Sequence, residues 1–421
     1  MARAGLLFLS PIMPDDTGNG LAMRAGVAFS ALARRFDVHL GLIPLAGGSE
    51  PVSSLARRYA ASVQSLPLAD HLDPHYALIE RVVDAGERGR ARLRYPKPFL
   101  CRFCTSRSAA AVAGWCEARD IRAVHVMRLY LAPFVENLAA IEAAHRPSLV
   151  LDLDEEEVAT RHSLAALNRL KGAAELAAVE EQEAKKYAAL MARTLPSFDR
   201  VLVSSPVEAQ RVRDRSPSAP VEVLANAAPR RAVPAPARSH RRSDGPARLL
   251  FVGNLSYAPN EDAIQFLCRE ILPRLRSATN RPIEVAAAGS GASGETIAIA
   301  DASDVALLGP VGDLGSLYAD ADVVVVPLRA GGGTRIKVLE AFGYGVPVVA
   351  TPIGIEGIAA ISGEHAMIAE TPEGFAEACL ALVASPTRAE AMAARALGLV
   401  EDAYRAELVE AALLALYDSV P

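Results

Sequence analysis

The sequence predicts an α/β protein made of two doubly wound domains, each with a parallel sheet. Short apolar runs that resemble buried strands alternate with Ala-rich helical stretches, and this alternation restarts after a segment rich in Pro and Arg. The chain has 421 residues with 51% apolar content, which is more than one core usually supports. We therefore expect two cores, each with helices on both faces of its sheet.

The N-terminal domain is predicted over residues 1–228. It opens with a strand at Leu6–Leu9, the loop SPIMPDDTGNG, a helix over Leu21–Arg35 and a strand with the sequence VHLGLI. Further strands are predicted at IRAVHVMRLY, SLVLDLD and RVLVSS. A strand, a helix and a second strand in this order form a β-α-β unit, so one parallel sheet accounts for the whole segment.

The composition changes near Ala227, where prolines and arginines replace large apolar residues, and residues 229–247 are predicted to be an interdomain linker. The C-terminal domain is predicted over 248–400, and 401–421 is expected to form a helix that crosses back onto the N-terminal domain. Strands are predicted at RLLFVGN, IEVAAAG, VALLG, DVVVVPL and VPVVAT. Helices are predicted at Asp262–Arg276, Leu314–Ala319, Arg335–Tyr344, Glu373–Val383, Arg388–Asp402 and Glu407–Tyr417.

Charge and cysteine content exclude several classes of function. The net charge is −5, so no global basic field recruits nucleic acid, and no run of about 18 apolar residues predicts a membrane span. The N-terminus suits a first strand better than a signal peptide. Cys101 and Cys104 form one C-x-x-C motif without a second ligand pair, which favours reduced, structural cysteines in a cytoplasmic protein.

The glycine-rich segment after the strand DVVVVPL carries the strongest functional signal. Gly331–Gly333 lie where a strand hands over to a helix, the edge at which α/β sheets bind ligands, and Thr334 can cap that helix. Arg335 and Lys337 place positive charge in the first turn, which is unfavourable unless an anion binds there. Glu340 can accept hydrogen bonds from sugar hydroxyls on the same side. The alternative is a glycine turn followed by a surface Lys337–Glu340 pair.

Three C-terminal segments resemble a known family: FVGNLSYAPNEDAIQFLCREILPRLR, LLGPVGDLGSLYADADVVVVPL and GGGTRIKVLEAFGYGVPVVATPIGIEG. They look like the donor-binding half of the retaining glycosyltransferases of family 4, which have the GT-B fold of two Rossmann-like domains facing a central cleft. The N-terminal segment LLFLSPIMPDDTGNGLAMRAGVAFSALARRFDVHL resembles the acceptor half. The likeness is to bacterial exopolysaccharide-type sugar transferases.

The resemblance implies transfer of a hexose from a nucleoside diphosphate sugar to an acceptor hydroxyl, with retention and without a metal or other cofactor. The resemblance leaves three classes of acceptor open: a glycan, a lipid-linked glycan and a small molecule. The implied catalytic residues are Arg335, Lys337 and Arg128. The implied donor-binding residues are Gly18, Asn19, Gly20, Gly253, Asn254, Gly331, Gly332, Gly333, Thr334 and Glu340.

The sequence departs from the family pattern at two places. The usual E-x7-E pair keeps its second carboxylate as Glu340, but its first position is Gly332, so backbone amides would replace a side-chain contact to the sugar. The loop GNLSYAPN has Asn254 and no Lys, which leaves Arg335 and Lys337 as the best cations for the diphosphate. Two alternatives stay open: a nucleotide-sugar epimerase of the same architecture, and a degenerate sugar-nucleotide binding protein.

The N-terminal half holds weaker candidates. A lone Gly-x-Gly at Gly18–Gly20 also fits an ordinary strand-to-helix turn, and Arg24 would contact the acceptor or face solvent. His125 and Arg128 end a predicted strand where their side chains would face the cleft, although a lone histidine is more often a core residue.

Two charged segments complete the analysis. Asp152 and Asp154 have a spacing that suits a metal, but the resemblance favours a helix-capping acidic cluster. The segment ERGRARLRYPKPFLCRFC combines basic and aromatic residues. It fits a membrane-surface or lipid-acceptor patch, in line with a peripheral contact at the inner face of the membrane, and also a solvated loop-helix face.

Overall fold

The computed structural model describes residues 3–46, 51–230, 245–418 and 420. The chain divides into two compact units: Met1–Asn226 together with Val409–Pro421 form the first, and Ala227–Leu408 form the second. Most of the predicted linker, 229–247, lies outside the described residues. No helix in the described part of the chain is long and apolar enough to span a membrane.

The first unit contains a parallel sheet in the order β3-β2-β1-β4-β5-β6-β7 among the described residues. All its strand pairs are parallel, and every residue of β1 is buried, as expected for a sheet covered on both faces. Its strands are β1 Gly5–Ser10, β2 Asp37–Leu42, β3 Ser62–Ser65, β4 Ile121–Met127, β5 Ser148–Asp152, β6 Arg200–Val203 and β7 Val221–Val223.

The helices of the first unit connect these strands. They are α1 Gly20–Leu32, α2 Ser54–Tyr59, α3 Pro74–Glu80, α4 Ala85–Arg94, α5 Ser106–Glu117, α6 Glu136–Ala139, α7 Glu157–Leu170, α8 Ala174–Thr194 and α9 Pro206–Arg215. Short 3-10 segments lie at Leu68–His71, Phe99–Phe103, Leu129–Val135, Ala143–His145 and Leu195–Ser197. The side chains of Asn19 and Ser205 cap α1 and α9, as their residue types favour.

The second unit contains a parallel sheet in the order β10-β9-β8-β11-β12-β13 among the described residues. All four residues of β11 are valines and all are buried. Its strands are β8 Ala247–Val252, β9 Ile283–Ala288, β10 Val305–Gly309, β11 Val323–Val326, β12 Val348–Ala350 and β13 Met367–Ile368. The predicted fold class of two doubly wound parallel sheets is confirmed.

The helices of the second unit begin with α10 Ala258–Phe266, which continues through a π-helical turn at Leu267–Ile271 into α11 Leu272–Ser277. The remaining helices are α12 Gly294–Ala302, α13 Gly315–Asp320, α14 Ile336–Gly343, α15 Pro352–Ile355, α16 Pro372–Ala384 and α17 Pro386–Ala403. Helix α18, Ala406–Leu416, begins in the second unit and belongs to the first unit from Val409 onward.

The C-terminal segment completes the first unit. The phenol of Tyr417 lies 2.7 Å from His125 Nδ1 on β4, and Arg200 on β6 donates to the Leu416 carbonyl at 2.8 Å. Arg35, just after α1, pairs with Asp418 at 2.7 Å. Residues from Val409 onward therefore pack on a sheet whose strands lie far upstream in the sequence.

Candidate functional site

The second sheet has its topological switch point between β8 and β11. The order runs from β8 to β10 in one direction and from β11 to β13 in the other, so the connections from these two central strands leave toward opposite sides. Ligands of open α/β sheets bind at the carboxyl ends of strands flanking such a point. The loops that leave these ends are residues 253–257 and 327–335.

Lys337 on α14 links these two loops. Its Nζ donates to Asn260 Oδ1 at 2.6 Å, and Asn260 Nδ2 donates to the Asn254 carbonyl at 2.8 Å. A methyl group added at Gly253 would lie 2.6 Å from Lys337 Nζ, so this glycine is needed to admit the ammonium. The structure therefore brings the predicted residues Gly253, Asn254 and Lys337 together.

The ammonium of Lys337 lies in an environment that disfavours its charge. Burial, with a smaller contribution from the charge of Arg335, lowers the pKa of Lys337 from 10.5 to about 7, whereas Glu340 acts in the opposite direction. The aromatic ring of Phe251 on β8 is an apolar neighbour of this ammonium, with its centroid 4.4 Å from Nζ. A negatively charged ligand at this position would restore the protonated form.

Arg335 is fixed by backbone carbonyls and is only 7% exposed. Its Nε donates to the Ile353 carbonyl at 3.0 Å, and its Nη1 donates to the carbonyls of Gly332 and Gly333. Within the described residues its Nη2 has no hydrogen-bond partner, although it is buried. A methyl group at Gly331, where φ is +127°, would lie 3.3 Å from this atom.

Two expectations about this loop are wrong. Helix α14 begins at Ile336 with Arg335 at its N-cap, so Thr334 precedes the cap and does not provide it. Arg335 and Lys337 are held by carbonyl and amide oxygens, whereas mobile cations were expected. The ammonium of Lys337 bonds to Asn260, so the alternative of a surface Lys337–Glu340 pair also fails.

Glu340 follows one turn later on α14, with its carboxylate partly exposed. The hydroxyl of Tyr318, which is fully buried, donates to Glu340 Oε2 at 2.8 Å. Burial raises the pKa of Glu340, and the bond from Tyr318 and the charge of Lys337 lower it. Tyr318 stacks on Tyr344 with ring centroids 4.7 Å apart. The carboxylate is thus held in one orientation with acceptor capacity left over.

Sequence reasoning missed the residues that hold the loops in place. Arg329 forms a two-pronged ion pair with Asp262 of α10 at 2.9 and 2.7 Å, which ties the loop after β11 to the helix after β8. Gly289 follows β9 with φ of +151°, and a methyl group there would lie 1.9 Å from the Gly253 carbonyl. The motifs around Asn254 and Gly331 can be recognised in the sequence. The contacts of Arg329 with Asp262 and of Gly289 with Gly253 cannot, because they form only in the folded protein.

Comparison with known proteins gives a family match within this unit. Residues 246–385 match the family described as glycosyl transferases group 1. Over these residues the second unit is similar to a group 1 glycosyltransferase domain. The match includes both loops at the switch point and all of α14. A search of curated protein sequences gave no significant match.

Solved structures resemble the whole chain. Sucrose-phosphate synthase from Thermosynechococcus elongatus has a TM-score of 0.69 at 15% identity, covering 99% of this chain and 98% of its own. Anabaena HepE in complex with UDP and glucose has a TM-score of 0.63 at 14% identity, with 99% and 100% covered. The E. coli structure titled trehalose-6-phosphate, bound with UDP-2-fluoro glucose, has a TM-score of 0.64 at 13% identity, with 99% and 100% covered. The group 1 domain and the unit before it therefore have the architecture of GT-B glycosyltransferases.

The first unit holds the remaining predicted donor residues outside the group 1 domain. Asn19 caps α1 by accepting a bond from the Ala22 amide at 3.0 Å, and Gly18 has φ of +101°. Gly20 is the first residue of α1. This geometry is that of a strand-to-helix turn, and the donor contact predicted for these three residues stays a prediction.

Arg128 lies in the first unit with a strained backbone, at φ of +76°. Its guanidinium pairs with Asp154 at 3.1 Å, with Glu157 at 2.6 Å and with Glu155. Desolvation lowers the pKa of Arg128, but these carboxylates outweigh it and raise the pKa well above its usual value. A guanidinium neutralised in this way is a poor partner for a donor phosphate, so the geometry argues against the catalytic role predicted for Arg128.

Arg24 and His125 are core residues. Arg24 is buried and pairs with Asp152 at 2.9 Å, so both expectations for it, acceptor contact or solvent exposure, are wrong. His125 is fully buried, and desolvation lowers its pKa to about 4, so the expectation that it faces a cleft is wrong. Asp152 and Asp154 are each paired with an arginine, and Glu156 is the residue that caps α7.

Two other groups bear on metal binding. No group of three or more His, Cys, Asp or Glu side chains suited to a metal occurs among the described residues. Cys101 and Cys104 are buried thiols that both lie 3.6 Å from the Tyr130 carbonyl, and the expectation of reduced, structural cysteines stays a prediction.

Proposed function

We propose that the chain transfers a hexose from a nucleoside diphosphate sugar to an acceptor hydroxyl, with retention of the anomeric configuration. The observation that carries the proposal is the pair of cations at the switch point of the group 1 domain. Lys337 Nζ reaches the loop after β8, and Arg335 has a buried Nη2 without a partner among the described residues. Two such donors beside a glycine loop suit a diphosphate.

The two neighbouring positive charges of Arg335 and Lys337 explain why an anion would bind at this end of α14. The charge of Arg335 lowers the pKa of Lys337, and both residues lie at the N-terminal end of α14, where the helix dipole adds further positive potential. Their Coulomb repulsion is unfavourable in the free protein. A diphosphate would neutralise both, so part of its binding free energy comes from relief of this repulsion.

We assign Glu340 to the ribose of the nucleotide. Its carboxylate is oriented by Tyr318 and lies on the same helix as Lys337, one turn further from the glycine loop. An oriented carboxylate accepts hydrogen bonds from vicinal hydroxyls, which fits a ribose at about the distance of a helical turn from the diphosphate. The sugar itself would be met by amides of Gly331–Thr334, since Gly332 offers no side chain.

The chemistry follows from the placement of the cations. When the bond between the sugar C1 and the β-phosphate oxygen breaks, negative charge grows on the diphosphate, and Arg335 and Lys337 stabilise it more than they stabilise the intact donor. The acceptor oxygen forms the new bond to C1, and its proton passes to the departing diphosphate oxygen, which balances the step. The titles of HepE and of the E. coli structure name UDP and glucose compounds as their ligands, which supports a nucleotide hexose here.

The test begins with a thermal-shift screen of nucleoside diphosphate sugars against the full chain. A ligand at about a hundred times its dissociation constant should add roughly 2.7 kcal/mol of stability. The stabilising donor is then incubated with and without candidate acceptor glycans, and the products are separated. Sugar transfer supports the proposal. An epimerised donor without an acceptor identifies an epimerase, and binding without turnover identifies a binding protein.

A further inference from the structure

We propose that the hairpin of α3 and α4 is a docking surface for an anionic lipid membrane. This inference does not depend on the proposed function. It rests on a local excess of unpaired positive charge beside exposed aliphatic side chains. Residues 73–107, which include both helices, carry eight basic and four acidic side chains, a net charge of +4 in a chain whose net charge is −5.

The hairpin is a rigid element with a small core of its own. Tyr76 and Ile79 of α3 pack with Tyr95, and Ala91 of α4 packs against them. Several of the basic residues serve this structure. Arg92 pairs with Glu80 at 2.6 Å, and Lys97 pairs with Asp73 at 2.7 Å. These pairs fix the two helices against each other.

Arg90 and Arg94, unlike Arg92 and Lys97, form no ion pair among the described residues. They lie four residues apart on α4, are exposed, and their side chains make no hydrogen bond or ion pair with the described residues. Helix α4 contributes no buried residue to the unit. Both arginines line an open cavity of about 440 Å³, whose full lining is His75, Ile79, Glu87, Arg90, Ala91 and Arg94.

Exposed aliphatic residues flank these arginines. Leu78 is 63% exposed and lies one turn from His75 on α3, and Val83 in the connection between the helices is 93% exposed. Basic side chains next to protruding aliphatic ones are typical of surfaces that bind at the level of lipid headgroups. The exposed aromatic nearby, Phe99, is already covered by the Arg102 guanidinium at 3.7 Å, so no ring is open for stacking on bases.

The experiment measures co-sedimentation of the full chain with vesicles. Vesicles of phosphatidylcholine alone are compared with vesicles of equal parts phosphatidylcholine and phosphatidylglycerol. We expect binding to the anionic vesicles only, and weaker binding at high salt. The double variant Arg90→Gln/Arg94→Gln should lower the partition coefficient roughly 30-fold, which corresponds to about 1 kcal/mol for each basic residue near the surface. Neither arginine holds the fold.

Two controls make the test specific. Arg388→Gln/Arg405→Gln removes the same charge from exposed positions of the second unit and should leave vesicle binding unchanged. Leu78→Ser/Val83→Ser keeps the charge and should weaken binding about tenfold, since apolar insertion is lost. The proposal fails if the wild-type chain ignores anionic vesicles or if both arginine variants lose binding equally. It also fails if heparin displaces the vesicles while the Ser variants bind normally, because the surface is then a polyanion site.

Discussion

Replacing Lys337 with Met should weaken nucleotide binding without unfolding the protein. The substitution keeps the length of the side chain and its contact with Phe251, and it removes the ammonium that donates to Asn260. If this ammonium holds a phosphate, its loss removes a charge-assisted hydrogen bond of about 1.5–3 kcal/mol. The affinity for a nucleoside diphosphate should therefore fall roughly 10- to 150-fold.

Without ligand, Lys337→Met should be as stable as the wild type or more stable. A pKa lowered from 10.5 to about 7 corresponds to an upper bound on the order of 5 kcal/mol against the charged form. Lys337 is partly exposed, so solvent screening reduces this amount, and loss of the bond to Asn260 offsets about 1 kcal/mol more. We expect a melting temperature equal to or above that of the wild type.

Isothermal titration calorimetry with inorganic pyrophosphate and with the best nucleoside diphosphate measures the affinity. Lys185→Met is the matched control, because Lys185 is an exposed lysine on α8 in the other unit. Wild-type affinity in Lys337→Met would refute the phosphate role. A large fall in melting temperature would show that the ammonium stabilises the fold, and the reasoning about its unfavourable charge would be wrong.

The same residue predicts a pH dependence. The pKa of Lys337 in the folded state is below its unfolded value, so the unfolded chain holds more protons between about pH 7 and 10.5. The destabilising contribution is thus fully present below about pH 7 and is relieved as the pH rises toward 10.5. A bound diphosphate raises the pKa again, so binding at about pH 8 should take up a proton. Calorimetry in two buffers of different ionisation enthalpy measures this uptake, which Lys337→Met should abolish.

Further predictions concern the rest of the site. Glu340→Gln keeps an acceptor for Tyr318, so it should lower nucleotide affinity about tenfold with little change in melting temperature, and unchanged calorimetric affinity would contradict the ribose assignment. Arg335→Lys should lower kcat more than donor affinity, on the order of a hundredfold, because its benefit grows with leaving-group charge; steady-state kinetics with equal losses in both would contradict this. Transfer activity should survive excess EDTA, and loss restored by Mg²⁺ would show a metal requirement. Gly289→Ala should cost at least about 2 kcal/mol in chemical denaturation, since its methyl group meets the Gly253 carbonyl, and wild-type stability would refute that clash.

The sequence predicts the apolar strands well because their signal is local. Strands such as β10 and β11 are short apolar runs between turn residues, and each was expected within about a residue or two of its bounds. The edge strand Ser62–Ser65 was missed because it is polar and partly exposed. Helix Gly294–Ala302 was missed as well, since its apolar residues do not follow a clear helical period.

Only those site residues that stand close together in the sequence could be predicted. Lys337 and Glu340 stand in one motif, whereas Asn260, which accepts from Lys337, lies 77 positions upstream. The wrong expectation that Arg24 faces solvent has the same origin. Asp152 neutralises Arg24 from 128 positions away, and no local pattern reveals such a partner. Charge at a strand end therefore predicts a site only when its neutralising partners are known.

The packing of the C-terminal segment on the first unit affects how the chain folds during its synthesis on the ribosome. Tyr417 and His125 are 292 positions apart, so the core that emerges first is the last to be finished. Until residue 409 has left the exit tunnel, β4 and β6 lack the cover that Tyr417 and Leu416 give them. The order of translation and the order of completion are therefore inverted. A stop codon in place of codon 409 would take the cover from the core of the first unit and leave the sequence of the second unit whole.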